Sequence, residues 1–171
     1  MFKEAGYDEV TINQICKEAG VSVGTFYHDF ESKESALMEG YVEFDDLLEP
    51  LTFNGNVVDG IIEIIDLLNN SSIGWGSKML VKAMSVHLST GGKYVSQDRK
   101  LNRYLYQLSN SGIEDGTFDA SYTPEYITEA ILRSFRGTLF DWSYRGGSYD
   151  LCEISRRDIL VIINGFRSPL E

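Results

Sequence analysis

An all-α protein is the fold class this sequence predicts, and three features predict it. Apolar residues recur at three- and four-residue spacing in segment after segment, the pattern of helices with one buried face. Runs of strict apolar–polar alternation are hard to find. Prolines number three in 171 residues, so little interrupts a helix. Hydrophobic residues make up 43% of the chain and aromatics 12%, which excludes intrinsic disorder. A chain of this size buries roughly 70% of its unfolded surface, and its length suits one domain or two small ones.

Other classes fall away on the same arithmetic. No apolar run approaches the ~20 residues that cross a bilayer; Ile61 to Leu68 is interrupted by Glu63 and Asp66. The N-terminus has no basic-then-apolar signal pattern. Cys16 and Cys152 are too few for a disulfide framework or a metal knuckle. The expectation is a soluble, reduced, cytoplasmic protein with no cofactor and no metal. The net charge of -11 argues against a diffuse grip on nucleic acid, which needs concentrated Lys and Arg. Any DNA contact must use a small local surface.

Ile12, Ile15, Cys16 and Ala19 fall on one helical face, with Thr11 as N-cap and Gly20 as the left-handed stop. Ser22 caps a second short helix, Val21 is placed to pack inward, and Phe26 and Phe30 hold that helix down. Two short helices around a tight glycine turn make either a helix-turn-helix or an ordinary helical corner. Ser32 caps a longer helix, with Glu34 in its first turn and a stripe of Leu37, Tyr41, Phe44 and Leu48 up to Pro50. After a turn at Phe53-Asn54-Gly55-Asn56 comes a stripe of Val58, Ile61, Ile62, Ile65 and Leu68, ended by Asn69-Asn70-Ser71-Ser72. The next helix starts near Gly74, carries Trp75, Met79, Ala83, Val86 and His87, and breaks at Gly91-Gly92. Leu101, Tyr104, Leu105 and Leu108 mark another, followed by a loop from Asn110 to Tyr122. Thr123-Pro124-Glu125 is a strong helix start, leading through Ile127, Ile131, Phe135, Leu139 and Trp142 to Gly146-Gly147. Asp150 with Glu153 resembles a capping box for a last helix through Ile154, Leu160, Val161, Ile163 and Phe166. Eight or nine helices are expected.

The string from Phe2 to Leu37 closely resembles the DNA-binding region of TetR-family transcriptional regulators. The matching residues are Phe2, Gly6-Tyr7, Thr11, Ile15, Glu18-Ala19-Gly20-Val21-Ser22, Gly24-Thr25-Phe26-Tyr27, Phe30 and Ser32-Lys33-Glu34. The resemblance implies an N-terminal helix-turn-helix domain over residues 1–40 and a helical ligand-binding and dimerisation domain over 41–171. It implies DNA contact by Thr11, Ser22, Val23, Gly24, Thr25, Tyr27, His28 and Lys33 on double-stranded operator DNA. Gly24 permits close approach, Thr25 offers a hydroxyl or a methyl, and Tyr27, His28, Lys33 and Thr11 reach phosphates. Packing and capping give Tyr27 and Thr11 uses that need no DNA, and a surface lysine needs no phosphate. Two features depart from the family. The chain starts near the end of the family's first helix, which reads as truncated. Residues 1–40 hold Lys3, Lys17 and Lys33 against eight acids, a net of 3 - 8 = -5. A natural N-terminal extension rich in Lys and Arg is therefore expected, and without it weak operator binding.

The resemblance also implies a homodimer through the last two helices, about 123–144 and 151–166. Gly137 costs ~1 kcal/mol inside a helix, which close helix approach explains. The run Ile159 to Ile163 covers more than one face, as an interface helix or the central helix of a monomer does. Trp75, Met79, Met84, His87 and Tyr104 are the candidate contacts to a small apolar or aromatic effector, with Tyr94 and Tyr106 nearby. The same residues at helical spacing also make plain core, and His87 needs a hydrogen-bond partner. The function implied is a ligand-responsive regulator, most simply a repressor released from its operator by the effector. A dimeric small-molecule-binding module with weak or lost DNA binding is the alternative. Two histidines and no Walker or HExxH motif leave little for an enzyme. The acids Asp45, Asp46 and Glu49 read as a solvated helix face.

Overall fold

A computed structural model describes residues 7–46, 48, 55–91 and 99–167, with only the backbone of 41–46. Phe2, Lys3, Glu49, Pro50, Phe53, Asn54, Gly92 and Tyr94 lie outside the described residues, as do the side chains of Tyr41, Phe44, Asp45 and Asp46. Eight helices and no strand occur among the described residues. They are α1 (Ile12–Ala19), α2 (Val23–Asp29), α3 (Lys33–Asp46), α4 (Val57–Trp75), α5 (Ser77–Ser89), α6 (Lys100–Glu114), α7 (Pro124–Tyr144) and α8 (Leu151–Gly165).

The caps sit where short polar side chains announce them. The Thr11 hydroxyl accepts the Gln14 N–H at 3.3 Å while Gln14 Oε1 takes the Thr11 N–H at 2.7 Å, a reciprocal capping box. Gly20 at φ 68° closes α1, with Val21 N–H on the Cys16 carbonyl and Gly20 N–H on that of Lys17, a Schellman turn. Ser22, Ser32, Asn56, Thr123 and Asp150 each accept the backbone N–H three residues on.

Three elements depart from the sequence reading. Helix α4 runs straight through Asn69–Ser72 to Trp75, because Leu68 and a fully buried Asn69 keep its inner face packed and packing outweighs the weak propensity of Asn and Ser. The break comes at Gly76, φ 81°, so Trp75 ends α4 and α5 begins at Ser77. Helix α6 continues through Asn110 to Glu114, where Gly112 presses against Phe118. Val21 is 43% exposed; as the residue after the left-handed glycine it stands on the outside of the turn, not behind it.

Helices α4 to α8 enclose one core built on Ile61, Ile64 and Ile65 of α4, Leu105 of α6, Ile127, Ile131 and Leu132 of α7, and Leu151, Ile159 and Ile163 of α8. Phe118 enters it from the α6–α7 loop, which pairs backbone to backbone with Arg167 in an isolated antiparallel bridge. A second cluster joins Tyr7, Leu37 and Met38 to Ala83 and Val86, seating α3 on α5. Trp75 packs against both clusters. Asp8 adds an ion pair to Lys82 of α5 at 2.9 Å.

Candidate functional sites

Helix α2 has one buried face and one bare one. Phe26 is buried and packs on half-buried Phe30 with ring centroids 5.4 Å apart. Ser22, Val23, Gly24, Thr25, Tyr27 and His28 all stand exposed. Tyr27, 56% exposed, meets Phe26 edge-on and otherwise presents its ring to solvent. Gly24 is informative because nothing inside the chain requires it. Its φ is not positive, and an added Cβ would meet no atom closer than Ser22 Oγ at 3.6 Å. A residue that weakens a helix by up to ~1 kcal/mol and is not needed for packing leaves room for something outside.

The remaining candidates are partly occupied. The Thr25 hydroxyl shares a hydrogen bond with Ser22 Oγ at 2.9 Å, and His28 Nδ1 lies 2.8 Å from Asp29 Oδ1. Thr11 is exposed but engaged in its capping box. Lys33 is half-buried: its ammonium donates to the Tyr7 and Val10 carbonyls, both at 2.8 Å, and lies 4.2 Å from the centre of the Tyr7 ring. Lys82 approaches the same ring at 4.9 Å. Burial, then the Glu34 carboxylate, push the Tyr7 phenol up, so it stays protonated. Lys33 thus braces the loop before α1. Lys33→Met, which keeps the stem and removes the donors, is expected to cost about 1–3 kcal/mol, read as a lower urea midpoint.

A cavity of about 330 Å³ opens between α3, α4, α5, α6 and α7. Of the residues expected at an effector site, Trp75, Met84 and His87 line it and Met79 and Tyr104 do not. Met79 shares its face of α5 with Ala83 and Val86 and packs on the N-terminal lobe; Leu80, Met84 and His87 form the cavity face. Only the first turn of α6, through Leu101 and Asn102, reaches the cavity, and Tyr104 packs into the main core. Tyr106 is exposed. Leu68, Leu132, Phe135 and Leu139 are part of the apolar wall, and Gly40 of α3 closes one side.

Sequence reasoning missed Arg99 and Arg136, which line the cavity with His87. Arg136 was legible, since it falls on the Leu132–Leu139 stripe at i+4. Burial, followed by Arg136 and Arg99, holds the His87 pKa below its ordinary 6.5. Burial lowers Arg136 too; Glu129 opposes this, while Arg99 and Arg133 reinforce it. With His87 depressed in the fold, the unfolded chain takes up the proton first as pH falls below 6.5. Stability should therefore drop through that window, and His87→Gln should flatten the drop in a urea midpoint–pH profile.

Helices α7 and α8 leave apolar side chains exposed, among them Phe140, which also lines the cavity. Phe140 and Tyr144 are 59% and 78% exposed and stack at 6.4 Å, and Val161 of α8 is 65% exposed. An added Cβ at Gly137 would meet nothing within 4 Å. Polar contacts fix the two helices beside these side chains. Thr138 donates to Asp158 at 2.8 Å, and the Tyr149 phenol, pushed up to about 12 by burial and by Asp141, donates to the Thr138 carbonyl at 3.1 Å. Buried Cys16 and half-buried Cys152 are free thiols. Among the described residues no group of His, Cys, Asp or Glu could hold a metal, and no helix is long and apolar enough to cross a membrane.

Residues 1–38 match the family of bacterial regulatory proteins described as tetR. The chain is 24% identical to the HTH-type transcriptional repressor KstR2 of Rhodococcus jostii (strain RHA1), over 99% of this chain and 87% of that one. It is also 24% identical to the uncharacterised HTH-type regulator YhgD of Bacillus subtilis (strain 168), over 96% and 90%. In fold it is similar to the regulator FadR of Bacillus subtilis, solved with stearoyl-CoA, at a TM-score of 0.66 and 19% identity over 97% of this chain and 94% of that one. The ketosteroid regulator KstR2 of Mycobacterium tuberculosis is a further structural neighbour, with a TM-score of 0.54 and 18% identity over 98% and 90%.

Proposed function

By its N-terminal residues 1–38 the chain belongs to the tetR family of bacterial regulatory proteins, and from this we propose that it is a ligand-responsive transcriptional repressor and not an enzyme. It acts in the cytoplasm, as a homodimer on double-stranded operator DNA. The observation that carries the reading is the outward face of α2, where an exposed Tyr27 stands beside a Gly24 that the fold does not need. Ser22, Val23, Gly24, Thr25 and Tyr27 enter the major groove; His28, Thr11 and Lys33 lie at its phosphate edge. Residues 1–40 form the DNA-binding domain and 41–171 the regulatory one.

A second copy packs on the exposed face of α7 and α8, covering Phe140, Tyr144 and Val161 and crossing near Gly137. That pairing sets two α2 helices at the ~34–36 Å spacing of successive major grooves. A small effector with an apolar or aromatic body fills the cavity around Trp75, Met84 and His87. FadR solved with stearoyl-CoA and the ketosteroid transcriptional regulator KstR2 are consistent with such a ligand. The effector favours the arrangement in which the α2 helices no longer match DNA, and a typical coupling of ~1–3 kcal/mol loosens the operator 5- to 150-fold.

The test is fluorescence anisotropy at low salt with the DNA immediately upstream of the gene. Sequence-preferring binding is expected, and Gly24→Glu should weaken it roughly 10- to 150-fold at an unchanged thermal midpoint. The lobe's net of -5 motivates the alternative. If the unsubstituted chain shows no preference for any upstream sequence yet binds cavity ligands, it is a helical ligand-binding module.

A further inference from the structure

We infer that Asn69, Ser143 and Ser155 hold ordered water inside the helical core, in one site that α4, α7 and α8 build together. Asn69 and Ser155 are 0% exposed and Ser143 is 3% exposed. Neither the amide nitrogen nor the oxygen of Asn69, nor either serine hydroxyl, meets a hydrogen-bonding group among the described residues. A carboxamide carries two N–H donors and an oxygen with two lone pairs, so Asn69 alone leaves several hydrogen bonds to be made. Burying such groups dry forfeits their hydration, which is why nearly all buried polar groups in folded proteins are paired.

The register of the helices brings the three side chains to one level. Arg156 pairs with Asp66, and Cys152 Sγ donates to Asn70 Oδ1 at 3.9 Å. Helices α4 and α8 therefore run antiparallel, with 66 opposite 156 and 70 opposite 152, and Asn69 stands beside the turn that carries Ser155. Thr138 donates to Asp158 at 2.8 Å, which sets Ser143 of α7 opposite residue 153, on that same turn. By helical periodicity Ser155 lies between the edge of α8 that meets α4, at Cys152 and Arg156, and the edge that meets α7, at Asp158. It faces the groove between those two helices.

Size and chemistry select the occupant. Ser155 sits between Leu151 and Ile159 on the buried face of α8 and is shorter than either, so it leaves volume in the groove. A buried water needs about two to four polar partners, and three side chains offer at least that many. The groups are neutral and mix donors with acceptors, so the occupant must both donate and accept; water does, and an ion does not. Bridged in this way, three isolated polar groups become one network joining α4 to the α7–α8 pair.

The experiment compares the intact chain with Asn69→Leu and Ser155→Ala, by oxygen-17 magnetic relaxation dispersion and by urea unfolding. The dispersion reads long-lived internal water, and its amplitude is expected to fall in both variants. A hydrated site and a dry one also answer the substitutions with opposite sign. Removing one partner of a shared water leaves the others unsatisfied and lowers the urea midpoint, whereas removing an unpaired buried group leaves the midpoint unchanged or raises it. Both midpoints should therefore fall, and the double variant should lose less than the two single losses together. Ser143→Ala, with the same expected loss of amplitude, is the further variant should Asn69→Leu fold poorly. Unchanged dispersion amplitude in the variants, or midpoints that hold or rise, would overturn the proposal. Additive losses would overturn the single shared site.

Discussion

Gly112→Val is expected to be among the most destabilising single changes in helices α4 to α8, at about 1–3 kcal/mol or more. A Cβ at this position would stand within 2.6 Å of Phe118 Cε2 and 3.1 Å from Val57 Cγ1. Neither neighbour has room to retreat. Phe118 is 1% exposed, its N–H donates to the Gly112 carbonyl at 2.8 Å, and the next residue, Asp119, donates to the Phe166 carbonyl at 2.8 Å. The ring is therefore held from α6 on one side and from the end of α8 on the other. Phe118→Ala should cost about 3–5 kcal/mol by emptying the same site. The pair should be strongly non-additive, because an alanine at 118 makes room for the side chain that Gly112→Val introduces. A urea double-mutant cycle with an unchanged denaturant slope measures this. Additive costs would mean that the two residues do not share the site.

The same contact shows where the sequence is readable. Caps and stops are local chemistry, so Thr11, Gly20, Ser22, Ser32, Thr123 and Asp150 mark helix ends that the structure keeps. The buried face of α2 is equally legible, from aromatic residues four apart. What a single sequence conceals is which partner a residue has. Asn69–Ser72 has the composition of a break, and only the neighbours of a buried Asn69 keep α4 continuous. Gly112 looks like loop glycine until Phe118 is folded against it. Met79 and Met84 differ by five positions on α5, yet one faces the N-terminal lobe and the other the cavity, since α5 is buried on two sides. Arg99 is the N-cap of α6 and stands outside the helical repeat, so no periodicity marks it.

Gly40→Ala is expected to weaken operator binding in the absence of effector by roughly 5- to 150-fold and to shrink the further response to effector. The backbone of α3 passes so close to the Trp75 ring at Gly40 that a β-carbon would stand 2.5 Å from Cζ2 and 2.8 Å from Cη2. One turn or less toward the N-terminus, Leu37 and Met38 lock α3 to Tyr7 and α5, and Lys33 ties it to the loop before α1. A push at Gly40 is therefore delivered to the lobe that carries α2. Trp75 ends α4 just before the left-handed Gly76 and packs on both hydrophobic clusters, so the ring has few places to go. Under the proposed function, an effector seated against Trp75 would press the ring onto α3, and a methyl group at position 40 would press from the other side. Both would favour the arrangement that α2 cannot use on DNA. Trp75→Phe should do the reverse: with a smaller ring the effector still binds, by calorimetry, while operator release in anisotropy falls several-fold in sensitivity. Gly40→Ala with unsubstituted operator affinity and an unsubstituted effector response would reduce the contact to packing and place the coupling elsewhere along α3.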